Sequence, residues 1–184
     1  MALAKDLLLT AEDYRLMPET GPRYQLIEGQ LYISPAPNRY HQDISRNIEF
    51  ILLTFLQDHP LGKVYDAPFD VRLGEHNVFQ PDIIFVANER LSILTKAGAE
   101  GAPNLVIEIL SPSTAELDRI PKRKTYSAAG VQELWLVDPE KKSIEVYRLQ
   151  TDSQHPAAVY QATDSFQSSC LPGLTFDGAA IFKQ

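Results

Sequence analysis

At 184 residues, with 44% hydrophobic and 22% charged side chains, the chain has the make-up of a globular protein long enough to bury a substantial core. Its formal charge of −7 disfavours non-specific adhesion to nucleic acid, which draws on excess Lys and Arg, unless a local basic patch works against the overall balance. A single cysteine, Cys170, excludes a disulfide framework and a zinc-type cysteine cluster, and no run approaches the roughly 18 apolar residues of a membrane span.

The opening MALAKDLLLTAED follows a brief LLL with acidic residues and has no small-residue cleavage pattern, so it makes a poor signal peptide and a cytoplasmic protein is expected. With no repeat, low-complexity tract or long linker, residues 1–184 read as one domain. Thr10-Ala-Glu-Asp13 fits a capping box at the head of a short helix that runs through Leu16 and stops near Pro18. Tyr24–Ile33 reads as two strands about a turn at Glu28-Gly29, and Pro35 and Pro37 then punctuate a loop.

His41–Asp58 is the clearest helix, since Ile44, Ile48, Ile51, Leu52, Phe55 and Leu56 recur at helical spacing. His59-Pro-Leu-Gly62 ends it. Short strands follow near Lys63–Phe69, Val71–Leu73, Asp82–Val86 and Leu105–Leu110. Residues 115–129 read as a helix in which Pro121 forces a late start or a kink. Glu133–Val137 and Ser143–Leu149 flank Asp138-Pro-Glu-Lys-Lys142 as a hairpin, and strands near Val159–Gln161 and Leu174–Phe176 close the chain. This order predicts an α/β protein: a mixed β-sheet with flanking helices.

One stretch stands out. LVIEILSPST, residues 105–114, sets Glu108 inside an aliphatic strand, on the same face as Val106 and Leu110. A lone buried carboxylate is costly, so a metal, Lys or Arg should meet it. Pro81-Asp82 offers a second acid where another strand begins, and two carboxylates on adjacent strands repel unless a cation lies between them. Oxygen ligands of this kind favour Mg²⁺ or Mn²⁺, which can activate a water and stabilise charge on a phosphoryl oxygen. The segment after the strand holds four of the chain's 17 basic residues within 119–124, and a helix there sets Asp118, Lys122 and Tyr126 on one face.

Asp82, Glu108 and the helix that follows resemble the PD-(D/E)XK nuclease superfamily. The likeness is closer to the bacterial restriction endonuclease-like family of the Uma2 type, found as many paralogues in some genomes. It spans roughly residues 10–180 and is carried by Tyr24-Gln-Leu-Ile-Glu-Gly-Gln30, His41-Gln42, Pro81-Asp82, Glu108-Ile-Leu-Ser-Pro-Ser-Thr114, Asp118…Lys122…Tyr126 and Gly130-Val-Gln-Glu-Leu-Trp-Leu-Val-Asp-Pro139. The resemblance implies a restriction-endonuclease-like core that hydrolyses DNA phosphodiester bonds. Mg²⁺ or Mn²⁺ would be held by Asp82, Glu108 and the Ile109 backbone carbonyl, with a homodimer compatible with cutting two strands.

The superfamily motif sets a lysine two residues after the glutamate, where this chain has Leu110. In the closer family the lysine comes from the next helix, so Lys122 takes that role by resemblance, with Lys124 its local rival. Glu28 is a candidate fourth ligand against a purely local role at its turn. His41 is either a structural residue at the helix start or a phosphate contact. Tyr126 is expected to pack with its hydroxyl at the site rim, Trp135 to sit in the core, and Ser113 and Thr114 to cap the basic helix. The alternative function is a non-catalytic nuclease fold that binds nucleic acid or protein, which Leu110 and the acidic charge favour.

Overall fold

The computed structural model describes residues 8–18, 23–34 and 36–184, so Pro35 lies outside the described residues. Helix α1 (Ala11–Arg15) opens with the expected capping box: Thr10 Oγ1 accepts from the Asp13 N–H, and the Asp13 carboxylate accepts from the Thr10 N–H. Strands β1 (Arg23–Ile27) and β2 (Gln30–Ser34) form the predicted hairpin, with Glu28 (φ 51°) and Gly29 (φ 76°) both left-handed in its two-residue turn. That pair of positive φ angles matches the right-handed twist of the strands.

Helix α2 (Arg39–Asp58) starts two residues before His41, because the Asn38 side chain caps it by accepting the His41 N–H at 2.9 Å. Its buried stripe is Ile44, Ile48 and Leu52, one face of the predicted period. Strands β3 (Gly62–Asp66), β4 (Asp70–Arg72), β5 (Val78–Phe79) and β6 (Ile83–Ala87) follow. After a 3-10 turn at Asn88–Ile93 come β7 (Gly98–Glu100) and β8 (Leu105–Ile109).

Beyond β8 the chain does not break at Pro121. A turn of α-helix, α3 (Ala115–Leu117), widens into a π-helical turn (Asp118–Lys122) and resumes as α4 (Arg123–Ala129). Proline has no N–H to give an α-helical ladder, and widening the turn keeps the helix continuous where a late start or a kink was expected. Gly130 ends α4 in the left-handed conformation (φ 96°), as a C-terminal glycine commonly does. Strands β9 (Glu133–Asp138), β10 (Ser143–Arg148), β11 (Ala158–Gln161), β12 (Ser165–Gln167) and β13 (Thr175–Asp177), then α5 (Gly178–Ile181), complete the fold.

The architecture is α/β, with mixed sheets and flanking helices. A six-stranded sheet in the order β11-β10-β9-β8-β6-β3 is antiparallel except where β8 runs parallel to β9. One of its faces, with Phe85, Ile107, Trp135 and Val137, packs on α2, the β12–β13 hairpin and α5. Trp135 is fully buried there, as expected, with edge-on contacts to Phe166 and Phe176. The opposite face, with Ile84, Val106, Leu134 and Leu136, packs against a second sheet, β2-β1-β5-β4-β7, and against Tyr126 of α4. Glu108 lies on this second face with Val106 and Leu110, as its position in the strand requires. Among the described residues, no helix is long and apolar enough to cross a membrane.

Candidate functional site

Strands β6 and β8 are antiparallel neighbours with Ile83 opposite Ile107, so one further rung brings Asp82 level with Glu108. Asp82 sits where β6 begins and its side chain reaches across: Oδ2 accepts the Ile109 N–H at 2.7 Å and lies 3.3 Å from His41 Nε2. His41 thus projects from the first turn of α2 onto the same carboxylate. Burial lowers the His41 pKa, but the hydrogen bond and charge of Asp82 and a bond to the Ile109 backbone outweigh it, and the net shift is upward.

Glu108 is engaged from the helical side. Its Oε1 accepts from Lys122 Nζ at 3.0 Å and from the Tyr126 hydroxyl at 2.6 Å. Lys122 Nζ is also 2.8 Å from Asp118 Oδ1. Glu108, Asp118 and Lys122 are each only 3% exposed, and Tyr126 is fully buried. The predicted common face of Asp118, Lys122 and Tyr126 therefore exists, and it turns inward onto Glu108. Tyr126 is not at a rim. Its ring packs edge-on against Phe79 and its hydroxyl bonds the carboxylate directly.

Burial pushes the Glu108 carboxyl up, to about 8; Lys122 opposes this, and the Asp118 and Asp82 charges add to it. For Lys122 burial lowers the pKa, but the Glu108 and Asp118 carboxylates more than reverse it, so the ammonium is held firmly charged. With every carboxyl ionised, Asp82, Glu108 and Asp118 set three negative charges against the single positive charge of Lys122. Two units are left for a cation to offset when His41 is neutral, and one when its ring is protonated.

These groups floor a cavity of about 490 Å³ whose walls include Tyr32, Ile33, Tyr40 and Pro112. Among the described residues, no three His, Cys, Asp or Glu side chains form a group that would hold a metal unaided. The donor set nevertheless fits a hard divalent cation. Asp82 Oδ1 and Glu108 Oε2 accept no hydrogen bond from the described residues, and Mg²⁺ typically takes one or two carboxylates while keeping waters or phosphate oxygens as its other ligands. Ile109, the expected backbone ligand, follows Glu108 on β8, bonds Asp82 through its N–H and lines the cavity.

Two candidates stand elsewhere. Glu28 and Lys124 face one another at 3.8 Å on the surface, with side chains 57% and 78% exposed, and border a separate groove with Arg72 and Glu100. Glu28 is held by its hairpin turn, and Lys124 lies two residues past Lys122, where a helix has rotated away from the carboxylates. Between Lys122 and Lys124, the geometry brings only Lys122 to Glu108.

Ser113 and Thr114 do not cap the helix through their side chains. Ser111 Oγ contacts both hydroxyls, at 3.2 and 2.8 Å, and Thr114 Oγ1 leans toward Asp118 Oδ2 at 3.5 Å. Asp118 as the second carboxylate on Lys122 was not assigned from the sequence. Its signals were its place four residues before Lys122, a spacing equally common on solvated helices, and its membership of the Asp118…Lys122…Tyr126 pattern, which gave it no role of its own.

The cluster of four basic residues is otherwise engaged. Arg119 Nη1 donates to both Glu145 oxygens at 2.7 Å, and Arg123 donates to the Arg119 carbonyl and the Ser153 carbonyl while lying over the Tyr147 ring.

Comparison with known proteins follows the same lines. Two uncharacterized proteins of Synechocystis are similar to this chain, one 26% identical over 95% of this chain and 92% of its own length, the other 24% identical over 84% and 88%. The crystal structure of a protein described as a putative nuclease, from Anabaena variabilis, superposes with a TM-score of 0.79. It covers 95% of this chain and 97% of the other at 22% identity, a likeness of fold. The family model described as "putative restriction endonuclease" matches residues 11–179, and the chain accordingly belongs to that family, Uma2.

Proposed function

We propose that the protein is a divalent-metal-dependent nuclease that hydrolyses phosphodiester bonds of DNA, using Asp82, Glu108 and Lys122. The observation that carries this reading is that Asp82 and Glu108 stand on adjacent strands, with Lys122 bonded to Glu108, and all three line one cavity. Membership of the family described as restriction endonucleases supports it.

Asp82 and Glu108 would hold Mg²⁺ or Mn²⁺ through the oxygens that no protein donor occupies, with the Ile109 carbonyl as a further ligand. Such an ion supplies a more acidic water and charge compensation on the phosphoryl oxygens. Lys122 holds one oxygen of Glu108 and so directs the other toward the cavity. Tyr126 shares that task. Asp82 is oriented by the Ile109 N–H, and His41 brings a proton-bearing ring to the same carboxylate. In the net reaction, water oxygen bonds to phosphorus, the phosphorus–oxygen bond to the leaving sugar breaks, and that oxygen takes up a proton.

The test is cleavage of assorted DNA with Mg²⁺ or Mn²⁺, comparing wild type with Glu108→Ala. Cleavage lost in the variant supports the assignment, and equal activity in both sinks it. The competing reading is a nuclease fold that binds without cutting. It is favoured by one specific observation: Lys122 is buried between two carboxylates and presents no free ammonium to the cavity. Calorimetric titration with Mn²⁺ separates the two, since the binding module requires no heat dependent on Asp82 and Glu108.

A further inference from the structure

The carboxylates of the nuclease reading lie in a recess, not along an open face. Glu108 is buried, the Asp82 side chain is only 20% exposed, and the cavity above them holds about 490 Å³. That volume lies within the range of pockets that enclose one small ligand.

Duplex DNA is stiff over more than a hundred base pairs and is gripped mainly by cations on its phosphates. The cations of the segment after β8 are poorly disposed for that. Arg119 is paired with Glu145, Lys122 is buried, Arg123 is tied to backbone carbonyls, and Lys124 faces Glu28 at a separate groove. Among the described lining residues the one exposed cation is Arg23, and Glu140 on the same lining brings the opposite charge.

The walls have a different character. Ile33 is 62% exposed, an unusual position for a large aliphatic side chain in a strand beside a polar site. Tyr32, next to it, is half-buried, and its hydroxyl meets no hydrogen-bonding partner among the described residues. Tyr40, Pro37 and Pro112 extend the apolar lining. Aromatic and apolar walls hold bases by their faces, and they do so without regard to sequence. Bases in a duplex are stacked on one another and offer no free face.

We propose that this pocket takes single-stranded nucleic acid. One unpaired nucleotide enters with its base against the Tyr32–Ile33 wall and its phosphate toward Asp82 and Glu108, and Arg23 meets the strand at the mouth. This rests on the nuclease reading above. A paired strand is disfavoured by the recessed carboxylates and by the few free cations on the lining, and the net charge of −7 is no obstacle to a single strand held mainly by its bases.

The experiment uses short labelled oligonucleotides of one sequence as single-stranded DNA, single-stranded RNA and duplex DNA. Binding is read by fluorescence anisotropy in Ca²⁺, which takes the same oxygen ligands as Mg²⁺, and cleavage is read in Mn²⁺. The single strand is expected to bind at least on the order of tenfold tighter than the duplex, and Tyr32→Ala to weaken it on the order of tenfold while Tyr32→Phe keeps the affinity. A preference for single-stranded DNA supports both readings, and a preference for single-stranded RNA supports the single-strand proposal while overturning DNA as the substrate. Duplex bound or cut as well as the single strand overturns the proposal and leaves the nuclease reading standing. No binding and no cleavage of any form overturns both. If Tyr32→Ala does not fold, the wild-type comparison still decides.

Discussion

Replacing Lys122 with Met removes a charge and leaves most of the side-chain volume, so its effect isolates the electrostatics of the site. In the wild type, Nζ lies 3.0 Å from Glu108 and 2.8 Å from Asp118, with all three groups buried. Taking one partner from a buried ion pair costs about 3–5 kcal/mol, because the remaining charge has neither water nor a counter-ion. Here Asp118 and, once it ionises, Glu108 lose their counter-ion, which places Lys122→Met toward the upper end of that range only at alkaline pH.

The cost also has a pH dependence whose sign follows from Glu108. Its carboxyl is raised from the ordinary 4.5 to about 8, so the folded chain holds a proton that the unfolded chain has already released. Stability from this group is therefore present below about 4.5 and falls as pH rises toward 8. Removing Lys122 raises that carboxyl further. Urea denaturation of the metal-free protein should show the larger loss for Lys122→Met above about pH 8, where only the wild type ionises Glu108, and a smaller one near pH 5, where Glu108 is neutral in both proteins. A loss of less than about 1 kcal/mol at pH 8, the level of an exposed surface pair, would refute the reasoning.

Three further outcomes are expected. Tyr126→Phe deletes a buried donor to Glu108 and should destabilise by about 1–3 kcal/mol in thermal unfolding, with metal-dependent cleavage reduced and the fold unchanged by circular dichroism. Glu133→Ala removes the buried acceptor shared by Trp135 Nε1 (2.7 Å) and the Ser169 N–H (3.0 Å); a loss of about 3 kcal/mol should lower Tm by roughly 6–12 °C, and a shift under 2 °C would count against that network. Asn38→Ala takes away the α2 cap and should cost about 1 kcal/mol in denaturant unfolding, a value near zero showing that the cap bond contributes nothing.

How far the sequence foretold this molecule varies by element, for physical reasons. The α2 helix was legible because Ile44, Ile48 and Leu52, joined by Ile51, Phe55 and Leu56, repeat at helical spacing over successive turns, enough to outweigh noise in any one position. The inward setting of Glu108 was legible because a strand alternates strictly, so Val106 and Leu110 fix its face. The second sheet was less so. Strands β5 and β7 are two and three residues long and are held by tertiary pairing with β1 and β4, leaving no local period to detect.

The candidate site divides the same way. Asp82 and Glu108 followed from strand placement, whereas the choice between Lys122 and Lys124 depended on how the chain passes Pro121, and a π-helical turn there is set by packing. Asp118 was hidden for a related reason. An acid four residues before a lysine usually marks a wet helix surface, and only the burial of Lys122 shows otherwise. Glu28 read as a ligand candidate, but its left-handed turn and its pairing with Lys124 hold it on another face.

The proposed activity requires that Asp82 and Glu108 share a cation. Calorimetric titration of the metal-free protein with Mn²⁺ tests this most directly, with Asp82→Ala and Glu108→Ala as controls checked for folding by circular dichroism. The account predicts one saturable binding event per chain in the wild type and its loss in both variants. Binding that survives both substitutions, or no binding in the wild type, would contradict it.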